Sequence, residues 1–387
     1  MLNELHGKPL NRTPDISGEL QGRLTFPHVC IGSPFAFQQH GESGRYVSEL
    51  FPHLAGHVDD LAFIHGVKTD NQNHGPSTLH VTTGSQFPGH PSVGSVVSQQ
   101  LGPRDEGVPP YVVMGYPNSL RGPGFLGSKY TYIYLTDTES GPNGLRRPPN
   151  VDDARWRRRV QLLDTLRQGY LARNHGDHRV ENYNATITEG FGMTDGDFMQ
   201  AFTLDHEPDD VRERYGDEFG QRCLLARRLV ASGVRFVEVA FNLNFVNGTG
   251  WDTHRHGQKD QYKLIQSLDQ SVSALIEDLE RNNLLETTLV VLATEFGRPA
   301  KFDGEGGRGH QSSAFTNVLF GGGLKTGQVV GVTDELSEKP VEDPVSVPDW
   351  LATIYSTLGI NPAHELFAGQ RPVPITDHGK PIAKLFS

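Results

Sequence analysis

The stretch Trp251-Asp252-Thr253-His254-Arg255-His256 places one carboxylate and two imidazoles within a few residues, between a segment that reads as a strand and one that reads as a helix. Carboxylate oxygen and imidazole nitrogen are the donors that hold zinc and similar divalent ions. Two more donors follow downstream. The apolar run at 288–294 ends in Glu295-Phe296-Gly297-Arg298, and a glycine-rich loop then delivers Gly307-Arg308-Gly309-His310. Any one of these could be a capping or surface residue, since 17 of the 387 residues are His. As a set, Asp252, His254, His256, Glu295 and His310 come from strand and loop ends, where open α/β sheets assemble their sites.

The elements that must position them are legible as short apolar runs. Residues 61–67, 111–114, 234–240, 288–294 and 316–320 read as buried strands. Between strands lie segments with apolar residues three and four apart. The clearest covers 260–283, with Leu264, Leu268, Val272, Leu275 and Leu279 on one face. Pro348 opens a further helix and Gly359 marks its end. Strand–helix–strand alternation implies an α/β fold, a mostly parallel central sheet with helices on both faces. Gly321-Gly322-Gly323 lacks the Lys and Ser/Thr of a phosphate loop and reads as a tight turn. From about 118 to 207 the chain is polar and rich in Gly, Pro, Arg and Asp. We read this as a largely helical insertion capping the strand ends of a single domain spanning 1–387.

Composition narrows the partners. A net charge of −11 excludes nucleic acid as an expected partner, because phosphate-backbone binders carry a basic footprint. No apolar run approaches the ~20 residues needed to cross a bilayer. The first residues, Met1-Leu2-Asn3-Glu4-Leu5-His6-Gly7-Lys8, lack the charged-then-apolar order of an export signal. Cys30 and Cys223 form neither a thiolate metal spacing nor a disulfide framework.

Several motifs together resemble the DUF1501 family, a sulfatase-like branch of the alkaline phosphatase superfamily abundant in planctomycete-type bacteria. They are His40-Gly41-Glu42-Ser43-Gly44, Ser48-Glu49-Leu50-Phe51-Pro52-His53-Leu54, Asn73-His74 with Thr83-Gly84-Ser85, and Arg222-Cys223-Leu224-Leu225-Ala226-Arg227-Arg228-Leu229. Gly250-Trp251-Asp252-Thr253-His254, Thr294-Glu295-Phe296-Gly297-Arg298 and the triple glycine complete the set. The resemblance implies an ion at the C-terminal strand ends held by an Asp-x-x-x-His pair and a later His. Asp252, His256 and His310 match that pattern, with His254 as the competing ligand. For a second ion it implies an Asp-His dipeptide where this chain has Glu295-Phe296, and an Asp from the first strand. The family's Gly-Gly-x-Ser-His-x-Asp-type stretch is not found, and the chain reads as beginning after it. We therefore expect at most one tightly bound divalent ion, zinc being the first candidate. Relatives are often exported, so localisation stays unknown.

The same resemblance places the superfamily's nucleophile at the helix start after Asn73. The expected hydroxyl falls on His74, which could act as nucleophile or proton donor, with Ser77 as the alternative. Glu295 would hold a second ion or orient water, and Arg298 and Arg308 could clamp a sulfate or phosphate. The implied function is a metal-dependent hydrolase of sulfate or phosphate esters acting on a small anionic ester. The alternative is a degenerate, non-catalytic member that binds a ligand or partner. Phe296 and the missing first strand favour the alternative; Asp252, His256, Glu295 and His310 favour the hydrolase. A dinucleotide enzyme is a distant third, because no strand runs into a Gly-x-Gly-x-x-Gly turn.

Overall fold

The computed structural model describes residues 4, 8, 33 and 35–386, apart from 116–118, 137, 139–140, 143–144, 146–147, 149, 195–196, 242–249, 255–256 and 302–306. An antiparallel hairpin, β1 (Phe37–His40) and β2 (Arg45–Ser48), leads to β3 (Ala62–Lys68), α1 (His74–Thr83) and α2 (Val93–Leu101). Then come β4 (Tyr111–Met114), β5 (Ile133–Leu135), α3 (Asp153–Arg173), α4 (His178–Thr194), α5 (Asp209–Tyr215), α6 (Glu218–Ala231) and β6 (Phe236–Val239). The long α7 (Gly257–Arg281) precedes β7 (Leu289–Leu292) and β8 (Phe315–Gly321). Four short strands follow, β9 (Val329–Val330), β10 (Val332–Thr333), β11 (Pro340–Glu342) and β12 (Val345–Ser346). The chain then forms α8 (Val347–Thr357) and a closing hairpin, β13 (Glu365–Ala368) and β14 (Arg371–Pro374).

The fold is mixed α/β, and the expected mostly parallel sheet is corrected. In the larger sheet, ordered β12-β3-β8-β7 with β9 also on β3, the central strand β8 runs antiparallel to both β3 and β7. Only β12 and β9 pair with β3 in parallel. A separate sheet, β5-β4-β6, is parallel throughout. The reason lies in the connections. A parallel return needs a crossover element, usually a helix, whereas the chain between β7 and β8 forms no helix among its described residues and comes straight back. Helices do lie on both faces of the larger sheet. On one, Ala62, Ile64, Phe315 and Leu319 pack with Trp350, Leu351 and Ile354 of α8. On the other, Phe320 packs with Val272 and Ile276 of α7 and with Leu54. Side chains alternate across each strand, so β3 and β8 feed both cores, which is why apolar residues dominate both of their faces.

Local chemistry fixes the helices. α8 begins with a capping box, the Ser346 hydroxyl accepting from the Asp349 N–H while the Asp349 carboxylate accepts from the Ser346 N–H, and Pro348 sits in its first turn. α7 is tied down through two buried carboxylates. Asp269 accepts the backbone N–H groups of Leu54 (2.8 Å) and His53 (3.0 Å), holding the Phe51-Pro52-His53-Leu54 segment against the helix. Asp278 accepts from Arg227 Nε (2.7 Å), Tyr215 Oη (3.1 Å) and Asn282 Nδ2 (2.9 Å), joining α5, α6 and α7. The Arg-rich motif beginning at Arg222 is thus a packing device here. The triple glycine that closes β8 has φ of +70°, +62° and +71°, a left-handed run that side chains with a Cβ rarely adopt. No helix among the described residues is long and apolar enough to cross a membrane.

Candidate metal centre

Three chain ends meet at one edge of the larger sheet. β3 ends at Lys68 and leads into α1, which starts at His74. β7 ends at Leu292 and leads to Glu295, and the segment entering β8 carries His310. The last two are locked together by a bridge beyond the strands, Gly297 N–H to Gln311 O at 2.8 Å and Gln311 N–H to Gly297 O at 2.9 Å. Glycine is required there, because a Cβ on residue 297 would meet the Ala314 carbonyl oxygen at 2.6 Å. Asp252 arrives from the segment before α7. Its neighbours are held by Gln261 of α7, whose side-chain amide donates to Thr253 Oγ1 (2.8 Å) and Trp251 O (3.3 Å).

The result is a tight polar cluster. His310 Nε2 and His254 Nε2 stand 3.0 and 3.1 Å from Asp252 Oδ1, and 3.0 Å from each other. His74 Nε2 stands 3.1 Å from Asp252 Oδ2. The outer nitrogens are anchored: His74 Nδ1 donates to Glu295 Oε1 at 2.6 Å and His310 Nδ1 donates to the Gln72 carbonyl at 2.7 Å. An oxygen that can only accept puts the ring hydrogen on Nδ1, so each neutral ring turns a lone pair on Nε2 toward Asp252. The buried His74 Nε2 makes no hydrogen bond.

Lone pairs and a carboxylate converging at about 3 Å repel one another unless a metal ion or a shared proton lies among them. Ligands of one tetrahedral zinc are about 3.3–3.4 Å apart, within a few tenths of an ångström of the spacing found here. His74, Asp252 and His310 each offer an atom, all within 4.8 Å of one another, a group able to hold a metal ion. Both anchors are of the kind that orient metal-binding imidazoles.

Electrostatics agree with a cation-seeking site. Burial alone would raise the Asp252 pKa, but the hydrogen-bonded guanidinium of Arg298 holds it well below the usual carboxylate range. The hydrogen bond to Glu295 raises the His74 pKa against the effect of burial, with Asp252 adding to it.

Other residues are placed as follows. Arg298 donates to Asp252 Oδ1 (2.7 Å), Arg308 O (2.9 Å) and Gly309 O (3.3 Å), bracing the loops that carry the cluster. Arg308 donates to the Pro299 and Ala300 carbonyls, both at 2.6 Å. Ser77 is fully buried and its hydroxyl donates to Asn71 O at 2.7 Å. His256 lies outside the described residues. The sequence did not single out Gln72 or Gln261. A backbone carbonyl has no side-chain signature, and Gln261 is one polar residue of an amphipathic helix. Phe296, 7 % exposed, packs its ring 4.3 Å from that of His310 and 4.8 Å from that of His74, forming an apolar wall.

The structure is thus that of a mixed α/β protein with an Asp–His cluster at one sheet edge that could hold a metal ion. The chain belongs to the family described as protein of unknown function DUF1501, whose model matches residues 1–386. Among solved structures it is similar to Ps i-CgsB in complex with k-i-k-neocarrahexaose, at 13 % identity, covering 80 % of this chain and 67 % of that one with a TM-score of 0.38. It is also similar to the phosphonate monoester hydrolase SpPMH from Silicibacter pomeroyi, at 12 % identity, covering 87 % and 72 % with a TM-score of 0.40. Likeness at this level carries nothing from those proteins to this one. A comparison with curated proteins finds no significant match.

Proposed function

We propose that this chain is a hydrolase of small anionic esters, sulfates or phosphates, that works with one divalent ion, zinc being the first candidate. The carrying observation is the convergence of His74, Asp252, His254 and His310, with Nδ1 of two rings fixed by Glu295 and the Gln72 carbonyl. These four residues would hold the ion, which gives His74 the part of a ligand in place of nucleophile or proton donor. When bound, such an ion polarises an ester oxygen and offsets developing negative charge. Glu295 keeps the hydrogen of His74 on Nδ1. Arg298 holds Asp252 in place and ties it to the backbone bearing His310. Phe296 keeps water from one side of the imidazoles, which strengthens the charges beside it.

Phe296 also favours a second reading, a member that keeps one ion but only binds its ligand. It supplies no donor where a two-ion clamp needs one, and such a clamp places its ions ~3.5–4 Å apart. Elemental analysis of reconstituted protein, with turnover of aryl sulfate and aryl phosphate, separates the two. One ion per chain with ion-dependent turnover, both lost in Asp252→Ala, is the expected result. One ion without turnover on either ester selects the binding reading, and no bound ion sinks both.

A further inference from the structure

α3 is 21 residues long and buries none of them, an unusual condition for a helix of about 31 Å. Its packed side meets α4, where Trp156 and Phe191 have ring centroids 6.2 Å apart and Arg167 Nε donates to Asn184 Oδ1 at 3.0 Å. Along another side Arg155, Arg159, Leu162, Leu166, Tyr170 and Arg173 follow at steps of three and four, the spacing that keeps side chains on one helix face. All six are exposed. Leu162 and Leu166 are each 63 % exposed and Tyr170 is 53 % exposed, with Tyr183 of α4 at 67 %. Charge is equally uneven. α3 carries six arginines against two aspartates, in a chain whose net charge is −11. Asp153 and Asp164 each stand two positions from a stripe residue, about 200° round the helix, and Asp164 lies 3.9 Å from Arg167.

Single exposed leucines are ordinary; a contiguous apolar row with arginines at both ends is not. We propose that this face of α3 docks on an anionic lipid surface. Arginines meet the headgroups at both ends, and Leu162, Leu166 and Tyr170 enter the boundary with the acyl chains. A partner recognised by charge alone, such as a sulfated polymer, would engage the arginines and leave the leucines in water. The apolar centre therefore favours lipid over a polyanion. The helix lies in the surface plane and does not span it.

Co-sedimentation of the full chain with vesicles tests this, using phosphatidylcholine alone and phosphatidylcholine mixed with phosphatidylglycerol. The expected result is binding to the anionic vesicles only, weakened by added salt. R155Q/R159Q lowers the partition coefficient roughly thirtyfold, the loss of two headgroup contacts. L162Q/L166Q lowers it at least roughly tenfold, with helicity checked by circular dichroism. Because α3 buries nothing, neither pair disturbs a core. Three results overturn the proposal: no binding to anionic vesicles, equal binding to neutral ones, or full binding by the leucine pair variant. Capture of dextran sulfate that the leucine substitutions leave unchanged, with no vesicle binding, assigns the stripe to a polyanion instead.

Discussion

Glu295 touches the proposed ion only through His74, and that makes its substitution the sharpest test of the centre. Its carboxylate accepts from His74 Nδ1 at 2.6 Å, a short charge-assisted bond that sets the tautomer and the ring orientation together. Partners of this kind are worth roughly 10–100-fold in metal affinity, about 1.4–2.7 kcal/mol. The side chains of His74 and Glu295 are 37 % and 28 % exposed, so solvent screens part of that interaction. Glu295→Gln keeps an acceptor but loses the charge, and roughly tenfold weaker binding is expected. Glu295→Ala frees the ring, and the loss approaches roughly a hundredfold. Asp252→Ala removes a ligand outright and should weaken binding more than either. Competition against a chromogenic chelator at constant pH measures all three, with circular dichroism confirming that each variant folds. Two results refute the reasoning. Wild-type affinity in Glu295→Ala would mean that His74 is not a ligand. A loss as large as that of Asp252→Ala would mean that Glu295 binds the ion directly.

Two further outcomes concern the scaffold. Asp278→Ala leaves Arg227 and Tyr215 without their shared buried acceptor and should cost roughly 3–5 kcal/mol in denaturant unfolding, whereas replacing Asp278 and Arg227 together with apolar residues of like volume should recover much of that loss. Burial pushes the Cys223 thiol up to about 12, so its thiolate is scarce in the native chain across neutral and mildly alkaline pH, and mass mapping after iodoacetamide should find Cys223 unmodified until the protein is denatured; labelling of the native chain at neutral pH would contradict this.

Much of the fold was legible because its central strands are apolar on both faces. β3, β4, β6, β7 and β8 all fall within or beside runs the sequence marks as strands, and α7 and α8 follow their apolar spacing and capping residues. Strand direction was not legible. Alternation of strands and helices suggested parallel pairing, but the return from β7 to β8 is an exception that no periodicity reveals. The two- and three-residue strands β9 to β12 are too short to show a period at all. For the site, the residue types were visible and their pairing was not. His74 and Glu295 are 221 positions apart, and His310 is anchored by a main-chain oxygen 238 positions away.

The antiparallel return and Phe296 together are the grounds on which a single ion is proposed. Because β8 comes straight back beside β7, the bridge between Gly297 and Gln311 brings the residues flanking it, Phe296 and His310, ring against ring. Glu295, one residue earlier, reaches His74. A second ion beside Glu295 would need donors from this same arch. The carboxylate there already holds an imidazole, and Phe296 has nothing to offer. Among the described residues, the donor atoms close enough to share an ion are those of His74, Asp252 and His310, with His254 against the last two. Turning Phe296 into a donor would also remove the apolar wall from His310 and His74, exposing the first set of ligands to water that competes for the ion. The residue that would deny a second ion its ligand is therefore the one that would shelter the proposed first.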